Sequence, residues 1–350
     1  MNSNKGTTFK KTNIFTKIFI LLFSVLFIFV GYEIFFPVPL VNNNYSLVIS
    51  KGDSVKSIIN NLYEHKIIRD KYMLRILLRI SHKDTKIYPG LYFLKQSISL
   101  LKLFYKITSG NPDQIAIVIV PGWNIIQLRA YVDGLQKIQH LTKSLTEEQL
   151  RQNLKITFDN LEGAFYPTTY FMAPNQTDLE FYETAYRFME KKLEALYLNR
   201  NKFSHYKNRY ELLIMASLIQ KETNDKQDMI YVSTVFNNRI NNGMKLQDDP
   251  AVFYGLHNKS EISHKDFLID TKYNTYLHAG FPVSPICIPS ENALIAASNP
   301  ENNPKLLYFI ADGKGKTKFS ETFEQHKKNI IKFLKKNRKK TSRSGKIFKD

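Results

Sequence analysis

The sequence predicts an α+β protein held by an N-terminal transmembrane helix, with one or two small α/β modules followed by a larger mixed α+β domain. Three observations predict it. A continuous apolar run covers Ile18–Phe36; a strand, Gly turn and capped helix occur twice between Tyr45 and Val132; and helix-period segments from Asp178 to Asn241 give way to short strands and Pro-rich loops. Apolar spacings of three and four mark the helices, and alternation marks the strands.

The apolar run IFILLFSVLFIFVGYEIFF carries one charge, Glu33, near its far end. At a rise of about 1.5 Å per residue it extends about 28 Å, enough to cross a hydrocarbon core. Lys5, Lys10, Lys11 and Lys17 precede it, and Pro37, Pro39 and Asn42–Asn44 follow. The positive-inside rule then keeps residues 1–17 in the cytoplasm and sends everything after Phe36 across the membrane. A cleaved signal peptide is the competing reading, but no A-x-A-like site follows the apolar core. The expected location is therefore the inner, or plasma, membrane, with a single pass and a periplasmic or extracytoplasmic body.

That location argues against nucleic acid as the partner of a chain with a net charge of +19. The basic residues gather before the apolar run and between Lys327 and Lys349, a pattern that equally suits an anionic wall polymer or a lipid surface. With 350 residues, 43% hydrophobic and 23% charged, the chain is long enough for two folded units and too apolar for disorder. Its single cysteine, Cys287, excludes an intrachain disulfide framework and reads as a small buried hydrophobe.

After the anchor, YSLVISKGDSVKSIINNLYEHKII reads as a strand at Ser46–Ser50, a turn at Gly52, and a helix capped by Asp53 or Ser54 with Val55, Ile58, Ile59 and Leu62 on one face. A second helix, Tyr72–Ile80, leads through Pro89 and Gly90 to a strand at Leu91–Leu94. The opening recurs as a strand at Ile115–Val120, a turn at Pro121 and Gly122, and a helix over Ile125–Val132. Two related modules are expected, residues 45–110 and 111–155. The first resembles the start of a LysM-like module, a βααβ fold whose families grip N-acetylglucosamine polymers; a plain α+β spacer is the alternative. Trp123 either stacks on a sugar or packs across its turn, and Gln136–Lys155 reads as a polar outer helix or hinge.

The main domain is expected over residues 156–330, with a basic tail at 331–350. LEGAFYPTTYFM, Leu161–Met172, packs Glu162, Tyr166, Thr168, Thr169 and Tyr170 around the turn formers Gly163 and Pro167. Such a set suits a sugar-lined groove, although core packing explains each tyrosine as well. Asp178–Leu198 and Arg209–Glu222 read as helices, the second buried on most sides because Leu212–Ile219 leave few polar positions.

Met215, Leu218 and Glu222 share a face of that helix. Two readings compete for Glu222: a helix end pointing into water, or a general acid kept protonated near neutral pH by apolar surroundings. Asp228–Asn241 forms the next helix, ended by Gly243, and MKLQDDPAVFYGL places Gln247, Asp248, Asp249 and Tyr254 around Pro250. YNTYLHAGFPVSPICIPS offers Asn274 and Tyr276, which can meet sugar hydroxyls and amides, and a loop stiffened by three prolines.

Ser290 caps a helix over Glu291–Ala297. A hairpin follows, built from Leu306–Ile310, a Gly-rich turn at Asp312–Gly315 and a return strand near Lys318 and Phe319, with a last helix from Thr322. The hairpin is not a phosphate loop. His257, His264, His278 and His326 lack metal-ligand spacing, so neither metal nor cofactor is expected.

LEGAFYPTTY (Leu161–Tyr170), ASLIQKET (Ala216–Thr223), VFNNRINNGMKLQDDPAVFYG (Val235–Gly255), the Tyr273–Ser290 stretch and LYFIADGKGKTKFSETFEQH (Leu307–His326), in this order, together resemble the endolytic murein transglycosylase family of the MltG or YceG type. The resemblance covers Tyr45–Asn329. It implies that the Glu of the QKE motif, Glu222, is catalytic; Gln247, Asp249, Tyr254, Asn274, Tyr276, Glu162 and Tyr170 are the candidate substrate-binding residues, each of which packing also explains. It implies cleavage of the β-1,4 bond between N-acetylmuramic acid and N-acetylglucosamine in nascent peptidoglycan, leaving 1,6-anhydro ends, with one carboxyl acting as acid and then base. Peptidoglycan, the membrane and peptidoglycan synthases are the implied partners. A hydrolytic muramidase using Glu222 and Asp249 and a non-catalytic wall-binding scaffold are the alternatives.

Overall fold

A computed structural model describes residues 14–50, 52–173, 176–257, 263–311 and 317–332. The protein is mixed α+β and divides into two compact units, one formed by the chain up to Ala116 with residues 171–174, the other by residues 117–170 with the chain from Asn175 onward.

The first unit opens with α1 (Ile14–Phe35). This helix is long and apolar enough to cross a membrane by length and composition, and it exposes Phe15, Leu21 and Phe27 rather than burying one stripe. Residues 1–13, the expected cytoplasmic segment, lie outside the described residues. At the end of α1, Arg69 donates to the carbonyls of Phe36 and Pro37 at 3.1 and 3.0 Å and lies over the Tyr32 ring at 4.7 Å.

Next come β1 (Val38–Ile49), α2 (Val55–Glu64), α3 (Lys71–Ile80), β2 (Gly90–Ile98) and α4 (Leu100–Thr108). Strands β1 and β2 pair antiparallel, Tyr45 opposite Leu94 and Ile49 opposite Gly90, with a break in register between Pro39 and Asn44. Ser54 caps α2 and Asp70 caps α3. Their apolar faces bury Leu62, Leu74 and Leu78 against Leu47, Leu94 and Leu103.

Two expectations for this unit need correcting. The strand begins at Val38 rather than Ser46: Val38 and Pro39 already pair with Ile98 and Ser97 ahead of the break in register, and Asn44 resumes the ladder opposite Lys95, pairing that alternation does not show. The α4 helix, capped by Ser99, is absent from the sequence reading although its apolar residues recur at helical spacing.

Strand β3 (Ile115–Val118) pairs with β4 (Thr169–Met172). The helices of the second unit are α5 (Ile125–Asp133), α6 (Glu147–Asn153), α7 (Asp178–Leu198), α8 (Arg209–Glu222), α9 (Lys226–Asn241), α10 (Asp249–Gly255) and α11 (Glu291–Ser298). Strands β5 (Tyr308–Ala311) and β6 (Thr317–Ser320) form an antiparallel hairpin, and residues 323–332 form α12. The expected Gly-rich turn at Asp312–Gly315 and the tail beyond 332 lie outside the described residues.

The segment read as a second module is not a closed βααβ unit: β3 finds its partner some fifty residues downstream, and only Glu147–Asn153 of Gln136–Lys155 is helical. Helix α8 is the centre of this unit and packs against α7, α9, α10 and α11. Its residues from Leu212 to Gln220 are all buried. Ala293, Ala296 and Ala297 are the small residues of α11 that are buried with it.

Candidate active site

Helix α8 starts at Asn208, whose side chain accepts the N–H of Glu211, and ends with Glu222 followed by the extended Thr223. Ser217 and Gln220 lock the Pro-rich loop onto it. Ser217 Oγ accepts from the N–H of Ile286 at 3.1 Å, and Gln220 Oε1 accepts from the N–H of Ser290 at 2.9 Å. The same loop buries Cys287 completely, as expected, and burial pushes its thiol up. Glu222 is therefore held at the end of a helix with little freedom to move.

The Glu222 side chain lines a groove of about 430 Å³ together with Arg239, Leu246, Gln247, Asp249, Tyr276, Phe309, Ile310 and His326. Burial raises the pKa of its carboxyl; a hydrogen bond with Asp248 opposes that rise, and the nearby charge of Asp249 adds to it. Asp248 is the N-cap of α10. Its Oδ2 accepts the N–H of Ala251 at 2.8 Å, and its own N–H donates to Thr275 Oγ1 at 2.9 Å. Its other oxygen, Oδ1, is buried without a hydrogen-bond partner among the described residues.

Burial, and then Glu222, raise Asp248 well above the usual carboxylate range. Two enclosed carboxyls that face each other cannot both ionise cheaply, so the pair holds one proton at a pH where exposed carboxyls have lost theirs. Asp249, one residue on, is exposed and accepts a hydrogen bond from the Tyr276 hydroxyl at 2.5 Å. Gln247 lies beside Arg239, whose Nη1 is 3.5 Å from its Oε1, in a left-handed conformation, φ 52°, a strained arrangement for a residue with a side chain and one found at binding sites.

The YceG-like family model matches residues 47–332. The chain belongs to the YceG-like family. Among relatives, the endolytic murein transglycosylase of Bacillus subtilis (strain 168) is 29% identical over 308 residues, covering 82% of this chain and 84% of that one. The protein of the same description from Streptococcus pneumoniae (strain ATCC BAA-255 / R6) is 26% identical over 332 residues, covering 84% of this chain and 59% of that one. A solved structure of a yceG-like protein from Listeria monocytogenes matches with a TM-score of 0.53 and 23% identity, covering 82% of this chain and 99% of that chain. It establishes likeness of fold. The resemblance read from the ordered motifs is thus borne out at the level of the family.

Within this YceG-like domain, the expected site residues separate into three places. Glu222, Gln247, Asp249 and Tyr276 share the groove. Glu162 and Tyr254 line a second cavity of about 280 Å³ with Asn124, Ile126, Gly255, His257 and Tyr273. There Glu162 Oε2 accepts from the Tyr254 hydroxyl at 2.9 Å and the N–H of Ile125 at 3.1 Å, and burial pushes the carboxyl up to about 7.

Asn274 and Tyr170 reach neither cavity. The Asn274 amide donates to the carbonyls of Phe267 and Ile269 and accepts the N–H of Tyr276, so it shapes the loop that carries Tyr276. Tyr170 is buried edge-on against Phe181, its hydroxyl donating to the carbonyl of Tyr166. Trp123 packs edge-on against Tyr131, with ring centres 5.3 Å apart.

Arg239 and His326 line the groove although sequence reasoning gave neither a role in it, and Asp248, named with its neighbours in the Gln247–Tyr254 stretch, was not singled out as the partner of Glu222. The signal for Asp248 was present, since an Asp two residues before a proline at a helix start is an N-cap. Among the described residues, Asp133, His140 and Asp178 bring possible metal-ligand atoms within 4.8 Å of one another. Asp178 already accepts from the N–H groups of Leu141 and Thr142 and from the Thr142 hydroxyl, so the cluster ties a loop to the start of α7.

Proposed function

We propose that this protein is a membrane-anchored endolytic transglycosylase that cleaves the β-1,4 bond between N-acetylmuramic acid and N-acetylglucosamine in nascent peptidoglycan. The observation that carries this reading is the enclosed Glu222 carboxyl, paired with Asp248 in an open groove whose other polar groups suit sugar hydroxyls and amides. The relatives described as endolytic murein transglycosylases support the substrate.

Glu222, protonated, donates to the glycosidic oxygen as the bond to C1 of the muramyl residue breaks. As carboxylate it then takes the proton of the muramyl C6 hydroxyl, whose oxygen bonds to C1. The proton lost in the first step is regained in the second, and no water is consumed. Gln247, Asp249 and Tyr276 position the muramyl residue. Apolar α1 serves as a single-pass anchor with the groove outside the cytoplasm, which brings the enzyme to newly made strands and to the synthases that extrude them. The βααβ order of the first unit supports a LysM-like glycan grip.

Purified full-length protein incubated with glycan strands tests the reading, the muropeptide ends being identified by mass spectrometry. Wild type is expected to generate anhydro ends and Glu222→Gln, correctly folded, to lose at least a hundredfold in rate, the lower range for removing a general acid–base group. Unchanged cleavage by Glu222→Gln rejects the assignment. Asp248 and Asp249 beside Glu222 favour a second reading, a muramidase in which a carboxylate activates water; its product end is one water heavier.

A further inference from the structure

The groove also contains a cation, Arg239, that no carboxylate among the described residues neutralises, its guanidinium lying 5.3 Å from the Tyr308 ring centre. Arg239 is 7% exposed, and among the described residues no carboxylate lies within ion-pairing distance of it. Its Nε donates to the carbonyl of Leu307 at 2.8 Å, and its Nη1 donates to the carbonyl of Leu246 at 2.7 Å, with Gln247 Oε1 at 3.5 Å. Nη2 has no hydrogen-bond partner among the described residues, and the side chain lines the groove.

Burial lowers the tendency of Arg239 to hold its charge, and the groups that favour the charge are Tyr308 and Tyr276, not the acids of the groove. A desolvated guanidinium with one face of its fork uncommitted is costly unless an anion completes it. Beside it, His326 lies flat against the Tyr308 ring at 5.3 Å. Its Nδ1 is unpartnered, and burial together with Arg239 disfavours its protonation. It therefore presents a neutral imidazole to the same end of the groove.

The sugar rings of a glycan strand are neutral, and their hydroxyls and amides give Arg239 no counter-charge. The muramyl residue differs in its lactyl side arm, which ends in a carboxyl group, either free or extended by a peptide that has carboxylates of its own. We propose that Arg239, through Nη2 and assisted by His326, binds a carboxylate borne on the muramyl side arm, so that the enzyme reads the substituent as well as the sugar. This inference rests on the glycan-cleaving function proposed above. It makes Arg239 a specificity-determining residue whose other nitrogens also fasten the Leu246 and Leu307 loops.

The test measures binding to the full-length Glu222→Gln protein, which holds strands without turning them over. Three probes are compared: a GlcNAc–MurNAc tetrasaccharide with intact peptide stems, the same molecule with its carboxylates converted to amides, and the same molecule with stems removed and lactyl carboxylates free. The free-carboxylate stem probe is expected to bind at least tenfold tighter than its amide, and Arg239→Lys, which keeps a charge but cannot fork, to shrink that ratio to within about twofold. A stem-free probe that keeps the advantage assigns the lactyl carboxylate, and one that loses it assigns the stem.

Loss of affinity shared equally by all probes in Arg239→Lys is the outcome of loop fastening alone and overturns the proposal, as does equal binding of free and amidated probes. Should Arg239→Lys fail to fold, His326→Gln takes its place, and an undiminished ratio there has the same force. Cleavage of strands by the wild type without any carboxylate preference removes the anion site and leaves the enzyme reading standing. A carboxylate preference in binding with no cleavage of any strand does the reverse.

Discussion

Replacing Glu162 with Gln should stabilise the protein at neutral pH and leave it unchanged in acid. The carboxyl is 1% exposed. It accepts hydrogen bonds on Oε2 from Ile125 and Tyr254, while Oε1 has no partner. Burial lifts its pKa from 4.5 to about 7 against the pull of those hydrogen bonds. Between these two values the folded protein keeps a proton that the unfolded chain has released, so stability falls as pH rises through the window.

At 1.36 kcal/mol per pH unit, the ionised carboxylate costs the folded state about 3 kcal/mol above pH 7. Gln cannot ionise and still presents an oxygen to Ile125 and Tyr254, so Glu162→Gln recovers up to about 3 kcal/mol at pH 7.5 and nothing at pH 4.5. For a domain of this size that corresponds to roughly 6–12 °C in Tm. Thermal unfolding of the detergent-solubilised full-length protein, followed by near-ultraviolet circular dichroism at both pH values, reads the difference. Equal shifts at the two pH values, or a loss of stability at pH 7.5, would refute the reasoning.

Asp248→Asn keeps the cap on Ala251 and turns an amide donor toward Glu222, which favours the carboxylate form. The alkaline limb of the cleavage rate, where the protonated acid is lost, should move to lower pH, and an unmoved limb argues that the two carboxyls do not share a proton. Tyr276→Phe removes the hydroxyl bonded to Asp249 without touching the core; KM should rise several-fold with kcat little changed, the size of one lost hydrogen bond of about 1 kcal/mol. Gly163→Ala is expected to destabilise by about 1–3 kcal/mol, measured by urea unfolding. Gly163 has φ +72°, and a Cβ there meets Pro285 Cβ at 2.9 Å.

The helices that frame the site were legible because their signals are local. Asp178–Leu198 and Arg209–Glu222 run between the limits that periodicity sets, with Thr177 and Asn208 as caps. Helix α10 was not, since seven residues after a polar loop give too few apolar positions to show a period. The hydroxyl-rich LEGAFYPTTYFM stretch misled in one respect. Tyr170 has the composition of a sugar platform, yet its hydroxyl is spent on the carbonyl of Tyr166 and its ring on Phe181, a choice made by α7 from outside the motif.

The sequence by itself determined the apolar N-terminal helix, the buried helix that carries Glu222, and the motif order that marks the family, because each is written in composition or spacing within a single segment. Only the tertiary structure decided which acid stands beside Glu222. Asp248 and Asp249 are adjacent and chemically alike, but the N-cap of α10 turns the first inward, where Thr275 and Ala251 bind it, and leaves the second exposed to Tyr276. Desolvation and charge pairing depend on distances between segments far apart in the chain, and no local pattern encodes them.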